Sequence, residues 1–277
     1  MSRSSRARPR RGWDPPADPG EPEIIIVADP AGGASIAAAR LVAAIERAVA
    51  ARGRADIATT GGSTPAGIYA ALAAPPHRDR LPWGRLHLWF GDERFVPRDH
   101  PDSNVLPLDR SLVAGRAPDG PLPPGNVHPI PVDAVIADEG GPAECARRYA
   151  EEIRSAVPAD GDGRPAFDAV VVGVGPDGHL LSVFPGSAVP ASRDLVSAVP
   201  APVHVGPHVA RVTLHPVVLD ATPALLVVAH GAAKAGIVAR ILDGPRDLAA
   251  LPAQRARRAG AAWIIDEAAA AELRPGG

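Results

Sequence analysis

The chain has 277 residues, 46% of them hydrophobic and 22% charged, with a net charge of −2. This composition suits a globular chain able to bury a sizeable core, and it excludes a strong global field directed at nucleic acid or an anionic membrane. No apolar run approaches the ~18 residues of a membrane span, no apolar signal core follows the N-terminus, and the single cysteine, Cys145, fits a reducing cytoplasmic compartment.

Residues 1–20 carry five arginines and four prolines without periodicity, which predicts a disordered tail over 1–21 and a single α/β domain over 22–277. EIIIVA (23–28) reads as a buried strand. The following helix places Leu41, Val42, Ile45 and Val49 on one face, with Gly53 as its stop. ADIATT (55–60) is a second strand, followed by GGSTP and a helix in AGIYAALAA. LHLWF (86–90) is a third strand and runs into GDERFVPRDHPDSN. Residues 114–131, rich in Pro and Gly, read as a loop, and 141–157 as a helix with its charges on one face. FDAVVVGV (167–174), RVTL (211–214), ALLVVA (224–229) and WIID (263–266) read as further strands, with KAGIVARIL (234–242) helical between the last two. Alternation of this kind predicts a mostly parallel sheet flanked by helices on both faces, a Rossmann-like α/β architecture. Ligands of such sheets bind beyond the C-terminal strand ends.

Gly173, Gly175 and Gly178 spell G-x-G-x-x-G after a strand. A dinucleotide fingerprint must open a long helix and meet an acidic residue about 20 residues on. Here Pro185 would end the helix early, and Asp194 follows no readable helix and strand. The loop instead carries Asp177 and His179 around Gly178. A histidine takes a proton from water near neutral pH, and a neighbouring carboxylate orients its ring. A turn whose aspartate merely caps backbone amides is the plainer alternative.

Three further loops follow strands. TTGGSTP (59–65) offers glycines and a helix N-terminus suited to phosphate, without the Gly-Lys-Ser/Thr ending of a P-loop. GDER (91–94) offers Arg94, whose planar fork suits a phosphate, or else a surface ion pair. Lys234 is the only lysine among 29 basic residues, and it falls in the first turn of a helix, against the dipole. No His/Cys/Asp/Glu cluster has metal-ligand spacing, and no Gly-x-Ser-x-Gly elbow is present. Gathered at one sheet edge, these loops predict a metal-free enzyme acting on a phosphorylated small molecule with a histidine base.

TGGSTPAGIYAAL, WFGDERFVPRDHPDSN, GVGPDGHLLSVFPGS, RVTL and GAAKAGIVARIL, in this order, resemble the 6-phosphogluconolactonase family over about residues 22–273. The resemblance implies a sugar-phosphate-isomerase-type fold and hydrolysis of 6-phospho-D-glucono-1,5-lactone to 6-phosphogluconate, without cofactor or metal. It implies a small-molecule phosphosugar lactone as the only partner, with no nucleic acid or membrane, and a monomer or weak homo-oligomer. It makes His179 the general base and Asp177 its partner. Gly61, Gly62, Ser63, Arg94 and Lys234 match positions that hold the substrate, largely its phosphate, while Asp92 and Asn104 match positions on the sugar side. Leu180 and Leu181 depart from the small residues usual after the histidine, a change that either only repacks the turn or narrows the cleft. The alternatives are a glucosamine-6-phosphate deaminase or related sugar-phosphate isomerase, and a non-catalytic sugar-phosphate sensor. Arg94 and Ser182–Pro185 favour the lactonase over the deaminase, whose third strand ends in Asp-Glu-Tyr.

Overall fold

The computed structural model describes residues 19–61 and 63–274. Most of the expected 1–21 tail, residues 1–18, lies outside them. Pro19 to Glu21 already lie against the domain: the Pro19 carbonyl accepts from the Ala259 amide at 2.7 Å, and Glu21 pairs with Arg257.

Seven strands form a parallel sheet: β1 (Glu23–Val27), β2 (Ala55–Thr59), β3 (Leu86–Phe90), β5 (Val127–His128), β6 (Ala169–Gly173), β9 (Ala224–Ala229) and β10 (Ala261–Asp266). Their order across the sheet is β1-β10-β9-β6-β2-β3-β5. Every residue of β2 and β10 is buried, as are five of six in β9. A strand buried at consecutive positions has both faces covered. The 23-residue helix Pro30–Arg52 shows how the sequence sets its ends: the Asp29 side chain accepts from the Gly32 amide, and Gly53, at φ 78°, caps the other terminus.

From β2 the chain steps through β3 to β5, then returns to β6 and moves the other way through β9 and β10. The order therefore reverses between β2 and β6, the place where an open α/β sheet leaves a crevice at its C-terminal edge. The loops after β2 and β6 flank that crevice.

Two expectations need correction, and one helix had no expectation at all. RVTL is not in the parallel sheet. It forms β8 (Arg211–Leu214), the centre of a separate antiparallel sheet with β4 (Asp92–Arg94) and β7 (Val196–Val199). Within 114–131, expected as loop, Val127–His128 closes the edge of the main sheet against β3. The stretch after GDER also holds a helix, Val105–Ser111, that its internal Pro107 disguised.

At the N-terminal edge of the sheet, the fully buried Asp56 accepts from the Trp89 indole at 2.9 Å and from Arg54 at 2.6 Å. Removing that acceptor strands a buried indole N–H, at a cost of about 1–3 kcal/mol. Asp56→Ala should lower the urea midpoint accordingly, without altering the opposite edge of the sheet.

Candidate active site

The loop after β6 folds on itself. The Gly175 amide donates to the His179 carbonyl at 2.9 Å, and the Gly178 amide to the Gly175 carbonyl at 3.1 Å. A Cβ on Gly175 would sit 2.0 Å from His179 Nδ1, and Gly178 has φ +87° with Leu251 2.7 Å from where its Cβ would be. These glycines therefore make room for the histidine ring and for the turn. Their amides are spent within the loop, which removes them as donors to a ligand.

His179 Nδ1 lies 2.5 Å from Asp177 Oδ1, which also accepts from the His179 backbone amide at 3.1 Å. His204 Nε2 lies 2.7 Å from the other oxygen, Oδ2. Burial raises the Asp177 pKa, but hydrogen bonds and charge from His179 and His204 outweigh it and hold the carboxyl well below its usual range. An ionised carboxylate only accepts, so both facing ring nitrogens carry hydrogen. In the neutral ring, that arrangement leaves Nε2 as the nitrogen able to accept a proton. The His179 ring leans on Phe184, with centroids 4.7 Å apart.

Across the crevice, Arg94 of β4 stands opposite Arg211 of β8 in the ladder. Arg211 is 3% exposed, and its Cζ lies 5.7 Å from the Phe184 ring centre. Burial, and then the charge of Arg94, lower the Arg211 pKa. Arg94 Nη1 donates to the Asp102 carbonyl at 2.6 Å and Arg211 Nη2 to the Pro207 carbonyl at 3.0 Å. The Nε of each is buried without a hydrogen-bond partner. Two adjacent guanidiniums held by carbonyls have the charge and donor geometry that suit an anion. Arg211 was absent from the residues expected from sequence. Its one signal was an arginine opening an otherwise uncharged strand.

Asp92 is 3% exposed, and its carboxylate accepts from Thr60 Oγ1 at 2.6 Å, Ser182 Oγ at 2.6 Å and Asn104 Nδ2 at 3.2 Å. It ties the wall together and has little capacity left for a ligand. Neighbouring Glu93 points the other way. It accepts from the amides of Arg94 and Asn104, both at 2.7 Å, and from Ser103 Oγ at 3.0 Å, which fixes the start of the Val105–Ser111 helix. Burial raises its pKa to about 7 against those bonds.

The Asn104 amide oxygen is buried without a partner and packs on Gly61, where a Cβ would lie 1.6 Å away. Gly62 lies outside the described residues, and Ser63 opens the helix Ser63–Ala73. On the other flank, Lys234 Nζ donates to the Val174 carbonyl at 2.7 Å. Burial lowers its pKa, and the Asp177 charge opposes that. Lys234 sits at the end of a 3-10 turn, just before the helix Ala235–Leu242, instead of within the helix as expected.

Leu180 and Leu181 are 1% and 5% exposed. Leu181, at φ 53°, lies over Gly91, where a Cβ would come within 2.6 Å of its Cδ2. The leucines thus pack into the wall beneath the crevice.

The family model described as glucosamine-6-phosphate isomerases/6-phosphogluconolactonase matches residues 28–264. A Streptomyces coelicolor protein named 6-phosphogluconolactonase is 37% identical over 259 residues, covering 91% of this chain and 95% of its own. A Mycobacterium tuberculosis protein of the same name is 34% identical over 235 residues, covering 84% and 91%. The solved 6-phosphogluconolactonase from Trypanosoma cruzi superposes with a TM-score of 0.77 at 27% identity, covering 91% of this chain and 97% of its own. A monomeric glucosamine-6-phosphate deaminase, at 19% identity and a TM-score of 0.70, shares the fold.

Gly175→Ala should break the His179–Asp177 contact while leaving the sheet intact. The downfield proton resonance expected of a short Nδ1–H···carboxylate bond should vanish, with little change in melting temperature.

Proposed function

The chain belongs to the glucosamine-6-phosphate isomerase/6-phosphogluconolactonase family, and we propose that it hydrolyses 6-phospho-D-glucono-1,5-lactone to 6-phosphogluconate, the second step of the oxidative pentose phosphate pathway. The observation that carries this reading is the dyad: His179 Nδ1 is held by the ionised Asp177, and Phe184 packs between its ring and Arg211, the ladder partner of Arg94.

A δ-lactone is an activated ester and needs no covalent nucleophile. Water attacks C1 as His179 Nε2 removes its proton, a contribution of typically about 10²–10⁴-fold. The tetrahedral intermediate then expels the ring oxygen, which takes the proton from the imidazolium and becomes the 5-hydroxyl. One water is consumed and His179 is returned to its starting state. Asp177 keeps the ring in its tautomer and balances the transient imidazolium charge.

Arg94, Arg211 and Lys234, with Gly61 and the N-terminus of the helix Ser63–Ala73, supply the positive and donor groups for the phosphate and ring oxygens. Asn104 offers its unpartnered oxygen to a sugar hydroxyl. Asp92 acts on the sugar side through the wall it holds. Binding the phosphate away from C1 lets binding energy position the reacting carbon. The deaminase alternative is less favoured, because the third strand runs into Asp-Glu-Arg instead of Asp-Glu-Tyr and Ser182-Val183-Phe184-Pro185 follows the base; Arg94 and Phe184 both meet Arg211. No described helix is long and apolar enough to cross a membrane, and a sugar-phosphate substrate suits the cytoplasm.

The test is loss of lactone generated from glucose 6-phosphate, against the spontaneous rate. The wild type should exceed that rate clearly, and His179→Ala should fall by about a hundredfold or more. Arg211→Gln should act mainly on KM, by about tenfold or more, as expected for a lost charge-assisted hydrogen bond. A folded wild type that never exceeds the spontaneous rate would overturn the reading, and ammonia release from glucosamine 6-phosphate would then be measured.

A further inference from the structure

The hydrolytic reading uses one oxygen of Asp177. The other is held by a histidine that no family block contains. His204 lies on the strap Pro200–Ala210 between β7 and β8, half-exposed, with Nε2 2.7 Å from Asp177 Oδ2. We propose that His204 is a positioning residue: by holding Oδ2 it fixes the plane of the Asp177 carboxylate and so keeps Oδ1 on His179 Nδ1. The proposal rests on the hydrolytic reading for its catalytic consequence, though its structural part stands on geometry alone.

A carboxylate on a glycine turn that is held at one oxygen keeps a rotational freedom. Asp177 is flanked by Pro176, which is exposed, and Gly178, at positive φ. Its own turn supplies donors to Oδ1 only, from the amide and ring of His179. Rotation about the terminal torsion of an aspartate is soft. With Oδ1 alone held, the carboxylate swings and the base swings with it. A donor on Oδ2 removes that freedom, and His204 provides it.

The strap is itself fastened. His208 Nδ1 donates to the Pro202 carbonyl at 2.7 Å, and Arg211 Nη2 to the Pro207 carbonyl at 3.0 Å. Phe184 fills the angle between the two imidazoles. Its ring lies 4.7 Å from that of His179 and 5.7 Å from that of His204, edge-on to the latter, with Arg211 over its face. The strap thereby joins one of the two adjacent arginines to the carboxylate that orients the base. A ligand gripping Arg211 and a water activated at His179 are referred to the same short segment. The contact is also specific in chemistry: an ionised Asp177 requires a donor at that place, and glutamine can supply one where alanine cannot.

The test compares wild type, His204→Ala and His204→Gln in two measurements. The first is the downfield Nδ1 proton of His179, identified by its loss in His179→Ala. In His204→Ala it should be lost or broadened by exchange, and in His204→Gln it should return. The second is lactone hydrolysis. His204→Ala should lower kcat by about tenfold, with KM nearly unchanged, as expected for loss of one hydrogen bond to a charged group. His204→Gln should recover most of that loss. In an Asp177→Ala background, His204→Ala should have no further effect.

A His179 resonance that is unchanged in His204→Ala overturns the proposal. So does a full tenfold loss that persists in the Asp177→Ala background, because the effect would then not run through Asp177. If the wild type does not hydrolyse the lactone, the functional reading falls, and the proton resonance still decides whether His204 positions the pair.

Discussion

The carboxylate of Asp92 is the point on which this site depends. It is a buried carboxyl group that meets Thr60 just after β2, Asn104 ahead of the Val105–Ser111 helix and Ser182 just past the dyad loop. A buried charge is tolerated only when its oxygens are satisfied, and removing a partner from such a network costs more than the bond itself. The three loops therefore hold one another in register through a single group. Glu93, next in sequence and facing the other way, does the same for the backbone beyond. Adjacent acidic residues on a three-residue strand thus brace the crevice wall from its two faces, and the arginines are presented on that wall.

The parallel sheet was legible in the sequence because its strands are continuous apolar runs such as AVVVG and ALLVVA, the pattern of strands covered on both faces. The candidate base was legible because a histidine and an aspartate share one glycine turn. The antiparallel sheet was not. Its strands have three or four residues, too few for a period to show, and β4 consists wholly of charged residues. The strand β4 is held there by pairing with β8, more than a hundred residues distant, which no local pattern records. Non-local contacts also hid Arg211 and His204. Each takes its part in the site from a contact across the chain, with Phe184 and Asp177 respectively.

The G-x-G-x-x-G motif shows how one string of glycines can answer to different constraints. In a dinucleotide loop, the missing side chains admit a pyrophosphate. Here Gly175 admits the imidazole of its own loop, and Gly178 admits Leu251 while taking a backbone turn that other residues resist. Leu181 extends the same economy: it occupies the space that Gly91 leaves open. Backbone room is spent on side chains of this chain, and the crevice is kept for the ligand by the cations around it.

Lys234 has a consequence outside enzymology. It is the only lysine of the chain, half-buried and bonded to the Val174 carbonyl beside the dyad loop. Acylating reagents, aldehyde cross-linkers and amine-coupling surfaces therefore find one side-chain amine in the whole molecule, and it stands in the crevice. Whatever attaches there reports on the site directly, and a molecule tethered through that amine is tethered by its own mouth.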